Sequence, residues 1–223
     1  MIVAPPGFVV RQEGEATCVL DAALADAVLA AGLGRPWERL APRPEGPGTG
    51  RGPRAVVPIP GGPALLVKQY LRGGLVAAFN RARYFDLKRF LAELETGRRA
   101  AAAGVPTARP LGVVLLPARP GWRAWGMSAF LKDATDMARL MAEERDPARR
   151  AALWDEARRF GELLLERGLE HRDLNLGNIL RSEEALYVID LDRAVMHDGP
   201  VPESVAERVR ERMERSRRKV AVG

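Results

Sequence analysis

Four polar side chains in the second half of the chain have the types and the spacing that phosphoryl transfer requires. His171, Asp173 and Asn178 lie within one short polar segment, and Asp190 follows Asn178 by twelve residues, at the end of an apolar stretch. Phosphoryl transfer needs a carboxylate beside the acceptor hydroxyl and oxygen ligands that hold Mg²⁺ against a nucleoside triphosphate. We predict that Asp173 contacts the acceptor hydroxyl and that Asn178 and Asp190 are the metal ligands. We predict that His171 serves catalysis by bracing the loop rather than as a base.

The order of residues in this polar segment supports the same chemistry. Residues 171–178 read His-Arg-Asp-Leu-Asn-Leu-Gly-Asn, which matches H-R-D-L-x-x-x-N, the catalytic loop of the protein-kinase fold. The alternative is a solvated polar turn with a capping aspartate. An apolar strand that ends in Asp190 at the required distance favours the catalytic interpretation, and ATP with Mg²⁺ is therefore the expected cofactor pair.

A lysine and a glutamate upstream complete the phosphate-binding group that this fold predicts. Lys68 follows three apolar residues, in the setting of the kinase motif V-A-I-K. Its ammonium group would bind the ATP phosphates, and a carboxylate on the next helix would orient it. That helix offers Glu93 and Glu95, which face different ways because they are two residues apart. Glu93 is the first choice, and Glu95 stays open as the alternative.

Backbone groups and two leucines are predicted to form the rest of the ATP site. A glycine-rich segment ends with Gly50 and Gly52, whose N–H groups can approach phosphate closely because glycine has no side chain. A flexible linker is the alternative. Leu66 and Leu180 are expected to enclose the adenine. The adenine edge is expected to form hydrogen bonds with the backbone of Ala129–Leu131. At Ala129 and Leu131 the chain is expected to pass from one lobe to the other.

Hydrophobic periodicity and turn signals describe the elements that must position these residues. Strands with one inserted helix come first, and helices with a small hairpin follow. We predict an α+β, two-lobed, protein-kinase-like fold, with a mostly antiparallel β N-lobe over residues 1–128 and a short, truncated helical C-lobe over residues 129–223. The predicted strands are Phe8–Arg11, Thr17–Leu20, 56–59, 65–70, Leu111–Leu116, Ala124–Leu131 and Leu186–Leu191, and the predicted helices start at Asp21 or span Phe85–Ala103, 146–168 and Glu203–Val220.

The composition excludes several other classes of protein. The chain has 223 residues, of which 47% are hydrophobic and 29% charged, and these values exclude collagen-like and disordered chains. One cysteine excludes an internal disulfide, and two histidines exclude histidine-rich metal sites. A net charge of +6 is compatible with an anionic partner, although no nucleic acid is expected. With no visible targeting or membrane-spanning segment, the chain is expected to be soluble and cytoplasmic.

The end of the chain departs from the pattern of eukaryotic-type protein kinases. Only 33 residues follow Asp190, and they contain no A-P-E element. Asp192 stands where the D-F-G motif has glycine, and Asn175 stands where many protein kinases have lysine. The chain is therefore too short for an activation segment followed by several helices.

With these departures the chain resembles the lipopolysaccharide kinases, which are the 3-deoxy-D-manno-octulosonic acid (Kdo) and heptose kinases of the inner core. The resemblance extends over about Gly50 to Lys219, and the first 45 residues lie outside it. The residues that carry it are Gly50-Arg-Gly52, Lys68-Gln-Tyr-Leu-Arg-Gly-Gly74, Gly104-Val-Pro106, Phe130-Leu-Lys-Asp-Ala-Thr135, Asp173-Leu-Asn175, Ile189-Asp-Leu-Asp-Arg193 and the basic tail Arg208–Lys219.

The resemblance implies a kinase that uses ATP and Mg²⁺ to phosphorylate a sugar hydroxyl of the lipopolysaccharide core, on a lipid A-linked glycan at the cytoplasmic face of the inner membrane. The basic tail would turn its arginines to an anionic membrane surface or to substrate phosphates, unless it is a solvated terminal helix. Two alternatives stay open: a minimal atypical Ser/Thr protein kinase, and a nucleotide-binding pseudokinase. The presence of Lys68, Asp173, Asn178 and Asp190 argues against the pseudokinase.

Overall fold

The computed structural model describes residues 2–40, 53–71, 83–183 and 185–222, the side chains of 221 and 222 excepted. The chain divides into a strand-rich unit, Met1–Leu94 with Arg109–Phe130, and a helix-rich unit, Glu95–Ala108 with Leu131–Gly223. The predicted lobe boundary between residues 128 and 129 stays a prediction. Gly50 and Gly52 lie outside the described residues, and so their predicted contact with phosphate also stays a prediction.

Six antiparallel strands form the sheet of the strand-rich unit: β1 (Phe8–Glu13), β2 (Ala16–Asp21), β3 (Arg54–Val57), β4 (Leu65–Gln69), β5 (Pro110–Pro117) and β6 (Trp122–Ala129). Their order in space is β1-β2-β5-β6-β4-β3. The strands predicted at 56–59 and 65–70 correspond to β3 and β4, which form a hairpin, and those predicted at Leu111–Leu116 and Ala124–Leu131 correspond to β5 and β6, which form another. The register of β4 with β6 places Lys68 opposite Gly126, on a strand next to the edge of the sheet.

Alternate side chains of this sheet build two apolar cores, one on each face. Trp125 packs in one core with Val28, and Val113 packs in the other with Phe90. The two helices that supply Val28 and Phe90 are α1 (Ala25–Ala30) and α2 (Lys88–Ala102), and α2 continues into the helix-rich unit. The core on the side of α2 therefore positions the helix that carries the predicted glutamate.

The prediction that the first helix begins at Asp21 is wrong. Asp21 is the last residue of β2, and its Oδ1 accepts a hydrogen bond from the N–H of Ala23 at 3.1 Å. This bond forms a turn, so the helix begins only at Ala25. Helix α2 also begins later than predicted, at Lys88, where the side chain of Asp86 accepts the backbone N–H of Lys88 at 2.9 Å. In both places an aspartate forms a short turn before the helix.

The helix-rich unit contains the end of α2 together with α3 (Met137–Glu143), α4 (Pro147–Glu166) and α5 (Glu203–Val222). Strands β10 (Ala185–Val188), β9 (Ile179–Ser182) and β7 (Thr135–Asp136) form one small antiparallel sheet, and β11 (Ala194–Met196) pairs with β8 (Leu169–His171). The predicted start of α4 is confirmed, because Asp146 accepts the N–H of Ala148 at 2.9 Å. None of the helices in the described part of the chain is long and apolar enough to cross a bilayer.

Helix α5 packs against the core of the helix-rich unit through an apolar stripe. Val209 and Met213 are buried in the core of the helix-rich unit. Gly161 of α4 permits a close approach, because a Cβ atom at this position would lie 2.7 Å from Sδ of Met213. The hydroxyl of Ser216 accepts the backbone N–H of Leu176, in the predicted catalytic loop, at 3.1 Å. Helix α5 is therefore a packed element of the unit and not a solvated tail.

Candidate active site

His171 holds the predicted catalytic loop from inside the helix-rich unit. Its side chain is fully buried at the end of β8. Nε2 lies 3.0 Å from the carbonyl oxygen of Ile189, and Nδ1 accepts the N–H of Asp173 at 3.3 Å. This pattern assigns the proton to Nε2, which donates to Ile189. Both ring nitrogens are thus used within the protein, in keeping with a bracing role for His171.

Two asparagine side chains fix the backbone at Asp173. Nδ2 of Asn175 and Nδ2 of Asn178 both donate to the carbonyl oxygen of Asp173, at 2.8 and 3.0 Å. Oδ1 of Asn175 accepts the N–H of Gly177 at 2.9 Å. Asn175, which marks a departure from the protein-kinase pattern, is therefore a structural residue of the loop. The backbone of Asp173 is held independently of its carboxylate.

The hairpin of β9 and β10 brings Asn178 beside Asp190. Its register pairs Ile179 with Val188, and the N–H of Ile189 donates to the carbonyl oxygen of Asn178 at 3.0 Å. The predicted strand is too long, because β10 ends at Val188 and Asp190 adopts the left-handed conformation, with φ 66° and ψ 58°. Aspartate is among the few residues that tolerate this conformation. Asp190 therefore lies two residues beyond the strand, as the N-cap of a 3-10 helix over Leu191–Arg193.

Asn178 and Asp190 fit a Mg²⁺ site that substrate oxygens complete. Because Nδ2 of Asn178 is bound to Asp173, Oδ1 is the side-chain atom of Asn178 that can bind a cation. The described residues contain no group of three His, Cys, Asp or Glu side chains that could hold a metal ion. Mg²⁺ commonly binds one or two protein oxygen ligands together with phosphate and water. The pair matches that pattern, and the assignment of these ligands stays a prediction.

Two arginines outside the predicted set of site residues bind the carboxylate of Asp173. Nη1 of Arg212, on α5, donates to Oδ1 at 2.6 Å, and Nη1 of Arg193 donates to Oδ2 at 3.4 Å. The side chain of Asp173 is 43% exposed and so accessible to a substrate. Sequence spacing gives no signal for Arg212, which is 39 residues from Asp173. Arg193 follows Asp190 closely, and this proximity is the signal that could have identified it.

A buried carboxylate next to the loop stabilises the pair of strands β8 and β11. Burial raises the pKa of Glu170, but hydrogen bonds and charges from His197 and Arg172 outweigh burial, and the net pKa is lowered. Nε2 of His197 lies 3.0 Å from Oε2 of Glu170, and Nε of Arg172 donates to Oε1 at 3.1 Å. Because the pKa of Glu170 is lower in the folded protein, its ionised carboxylate stabilises the fold at pH values above the ordinary pKa of glutamate. This stabilisation is lost as the pH falls and the carboxylate becomes protonated. At neutral pH this network supports the strand that ends in His171.

The strand-rich unit places Lys68, Tyr70 and Glu93 close together. Nζ of Lys68 lies 5.3 Å from the ring centroid of Tyr70, and the hydroxyl of Tyr70 donates to Oε2 of Glu93 at 2.6 Å. Glu93 is buried, whereas Glu95 is exposed. The structure thus favours Glu93 as the carboxylate on the lysine side of the helix. Direct orientation of Lys68 by Glu93 stays a prediction.

Tyr70→Phe is expected to destabilise the protein by about 1.5–3 kcal/mol, because it removes a hydrogen bond to a buried charged group. Urea denaturation measures this change. Tyr187→Phe is the matched control, because the hydroxyl of the partly buried Tyr187 has no hydrogen-bond partner among the described residues. Equal stability of the two variants would show that the hydrogen bond from Tyr70 to Glu93 does not stabilise the protein.

The structure narrows the predicted contacts of the adenine. The N–H of Ala129 donates to the carbonyl oxygen of Arg109 at 3.0 Å, and the N–H of Phe130 donates to Ala64 at 2.9 Å. The N–H of Ala129 is therefore not free to donate to adenine. Of the backbone N–H groups at Ala129–Leu131, the one that could still donate to adenine is that of Leu131. Leu66 and Leu180 are both partly buried, on β4 and β9. Contact of these leucines with adenine stays a prediction.

The antiparallel sheet and the His171–Asn178 loop define a protein-kinase-like α+β fold, as predicted. A solved structure, WaaP in complex with acyl carrier protein, superposes with a TM-score of 0.55 at 18% identity, covering 89% of this chain and 80% of that chain. At this identity the likeness shows the fold.

Residues 61–220 match the lipopolysaccharide kinase (Kdo/WaaP) family. The chain belongs to this family, and the resemblance seen in the sequence is confirmed. A 3-deoxy-D-manno-octulosonic acid kinase of Xanthomonas axonopodis pv. citri is 34% identical over 152 residues, which cover 66% of this chain and 59% of that protein. A 3-deoxy-D-manno-octulosonic acid kinase of Xanthomonas campestris pv. campestris (strain B100) is 34% identical over 174 residues, which cover 74% of this chain and 67% of that protein. The chain thus spans about three fifths of the first of these relatives.

Proposed function

We propose that the protein is an ATP-dependent kinase that phosphorylates a hydroxyl of a sugar in the lipopolysaccharide inner core, with Kdo as the first candidate and heptose as the second. The observation that carries the proposal is the hydrogen-bonded loop that unites His171, Asp173, Asn178 and the strand before Asp190. The relatives named above are Kdo kinases, and this favours a sugar acid as acceptor.

Each residue has a defined part in the proposed transfer. Asp173 orients the acceptor hydroxyl and accepts its proton as the oxygen attacks the γ-phosphorus of ATP. The new P–O bond forms as the bond from the γ-phosphorus to the bridging oxygen breaks, and ADP leaves. Mg²⁺, held by Asn178 and Asp190, would neutralise the charge of the phosphates. Lys68 would bind the phosphates of ATP.

The exposed cations of helix α5 support a peripheral position at the cytoplasmic face of the inner membrane. Arg208, Arg215, Arg218 and Lys219 are exposed on this helix, while its apolar side is buried. Such a surface is attracted to anionic lipid. An enzyme placed there would meet a lipid A-linked glycan at the membrane surface, which is the partner that we propose.

Phosphate transfer to a defined acceptor tests the proposal. Purified protein incubated with Mg·ATP and a Kdo-terminated lipid A is expected to yield acceptor that is heavier by one phosphate, as detected by mass spectrometry. A heptose-terminated acceptor in a parallel sample identifies the preferred sugar. Binding of ATP without transfer to either glycan would contradict the proposal. Autophosphorylation on serine in that case would favour a minimal protein kinase.

A further inference from the structure

The carboxylate of Asp173 lies between two guanidinium groups that reach it from different elements. Arg212 projects from α5 and binds Oδ1, and Arg193 follows the turn at Asp190 and binds Oδ2. One negative charge thus faces two positive charges. The excess positive charge lies beside the group that is proposed to receive the acceptor hydroxyl.

These ion pairs contribute little to folding. The side chains of Asp173 and Arg212 are each 43% exposed, and that of Arg193 is 69% exposed. Water screens pairs with this exposure, and their net effect on stability is small. Within the described residues, neither arginine has an acceptor other than Asp173, so most of their N–H donors face no protein acceptor. The arrangement is better suited to binding a ligand than to holding the fold.

We infer that Arg193 and Arg212 bind the carboxylate of the acceptor sugar, beside the hydroxyl that Asp173 receives. The inference rests on the proposed function. A 3-deoxy-D-manno-octulosonic acid unit presents a carboxylate, and the planar fork of arginine matches the two oxygens of such a group. The two arginines would therefore select a sugar acid over a neutral sugar.

The γ-phosphate of ATP is the other anion that this pair of arginines could bind. The groups predicted to hold the phosphates are Lys68 and the metal ligands Asn178 and Asp190. Arg193 and Arg212 instead contact the carboxylate that serves the acceptor. This position assigns them to the acceptor, and affinity for ATP is the measurement that separates the two ligands.

The test compares a phosphate-free Kdo–glucosamine disaccharide as the free acid and as the methyl ester, which lacks the negative charge. Calorimetry measures binding of each form, and of ATP, to the whole chain. The wild type is expected to bind the acid about 10- to 100-fold more tightly than the ester. Arg212→Gln and Arg193→Gln are expected to lower affinity for the acid toward that for the ester and to leave ATP affinity unchanged. Arg139→Gln, which removes an exposed charge from α3, is expected to behave as wild type.

The outcomes separate this inference from the proposed kinase activity. Equal binding of acid and ester by the wild type, or an unchanged preference in Arg212→Gln, would overturn the inference. Loss of ATP affinity in both arginine variants would overturn it as well and assign the arginines to the nucleotide. Phosphate transfer to the same disaccharides is measured in parallel. A preference for the acid without any phosphate transfer would support the role of the arginines and contradict the proposed kinase activity. Phosphate transfer without a preference for the acid would support the kinase activity and contradict the role of the arginines.

Discussion

Replacement of Asp173 by asparagine is expected to lower the turnover number of sugar phosphorylation by about 10²- to 10⁴-fold, the range typical for the loss of a positioned proton acceptor. Asn175 and Asn178 bind the main-chain carbonyl of Asp173 and not its side chain, so the substitution leaves both of these hydrogen bonds in place. The loop is therefore expected to keep its conformation. Affinity for ATP and the free energy of unfolding are expected to stay close to the wild-type values.

Asp155→Asn is a matched control for this variant. Asp155 lies on α4, is 52% exposed and also pairs with an arginine, Arg158, so its replacement removes an equivalent surface ion pair. Steady-state kinetics with the Kdo acceptor and calorimetry with ATP measure the two effects separately. Near wild-type turnover in Asp173→Asn would show that another group receives the proton. Unchanged function of an Asp173→Ala variant in cells, by contrast, would favour the nucleotide-binding pseudokinase, whose role needs no transfer.

Asp190→Asn is expected to lower turnover by about 10²- to 10³-fold, comparable to the loss of one charge-stabilising group in an active site. It removes the negative charge of a predicted Mg²⁺ ligand but keeps the shape of the side chain. Asparagine also tolerates the left-handed backbone found at this position. The variant is expected to keep the fold and to need a higher Mg²⁺ concentration for half-maximal activity.

Asp190→Val separates the chemistry of the carboxylate from the geometry of the backbone. Valine is β-branched and disfavours positive φ, so we expect this variant to lose about 1–3 kcal/mol of stability in addition to its activity. Asp190→Gly keeps the backbone and removes the ligand. A Mg²⁺ titration of activity and a denaturant titration of each variant complete the comparison. An unaltered Mg²⁺ requirement in Asp190→Asn would exclude Asp190 as a ligand.

Local patterns predicted most of the elements around the candidate site. Apolar runs and turn residues identified the strands β3 to β6, and the Asp-Pro pair at 146–147 identified the start of α4. These features depend on neighbouring residues alone, so the sequence contains them. The predicted start of α1 was wrong for a local reason too, because Asp21 forms a turn and the helix begins only at Ala25.

Contacts between distant segments could not be predicted in the same way. The pairing of Arg212 with Asp173 depends on which face of α5 meets the loop, and the basic tail offers several arginines at similar spacing. The hydrogen bond from Tyr70 to Glu93 likewise needs the sheet and α2 in place. The commitment of the Ala129 N–H to Arg109 follows from the end of β6. These three contacts depend on tertiary packing, which short sequence motifs do not specify.

The missing side chain at Gly161 has a consequence for activity that its chemistry would not suggest. Even the Cβ atom of an alanine there would lie 2.7 Å from Sδ of buried Met213, and a larger residue would push α5 away from α4. Arg212 and Ser216 leave the loop together if that helix tilts, since both project from it toward Asp173 and Leu176. A mutation of Gly161 would then lower the measured kinase activity, although Gly161 itself contacts neither substrate.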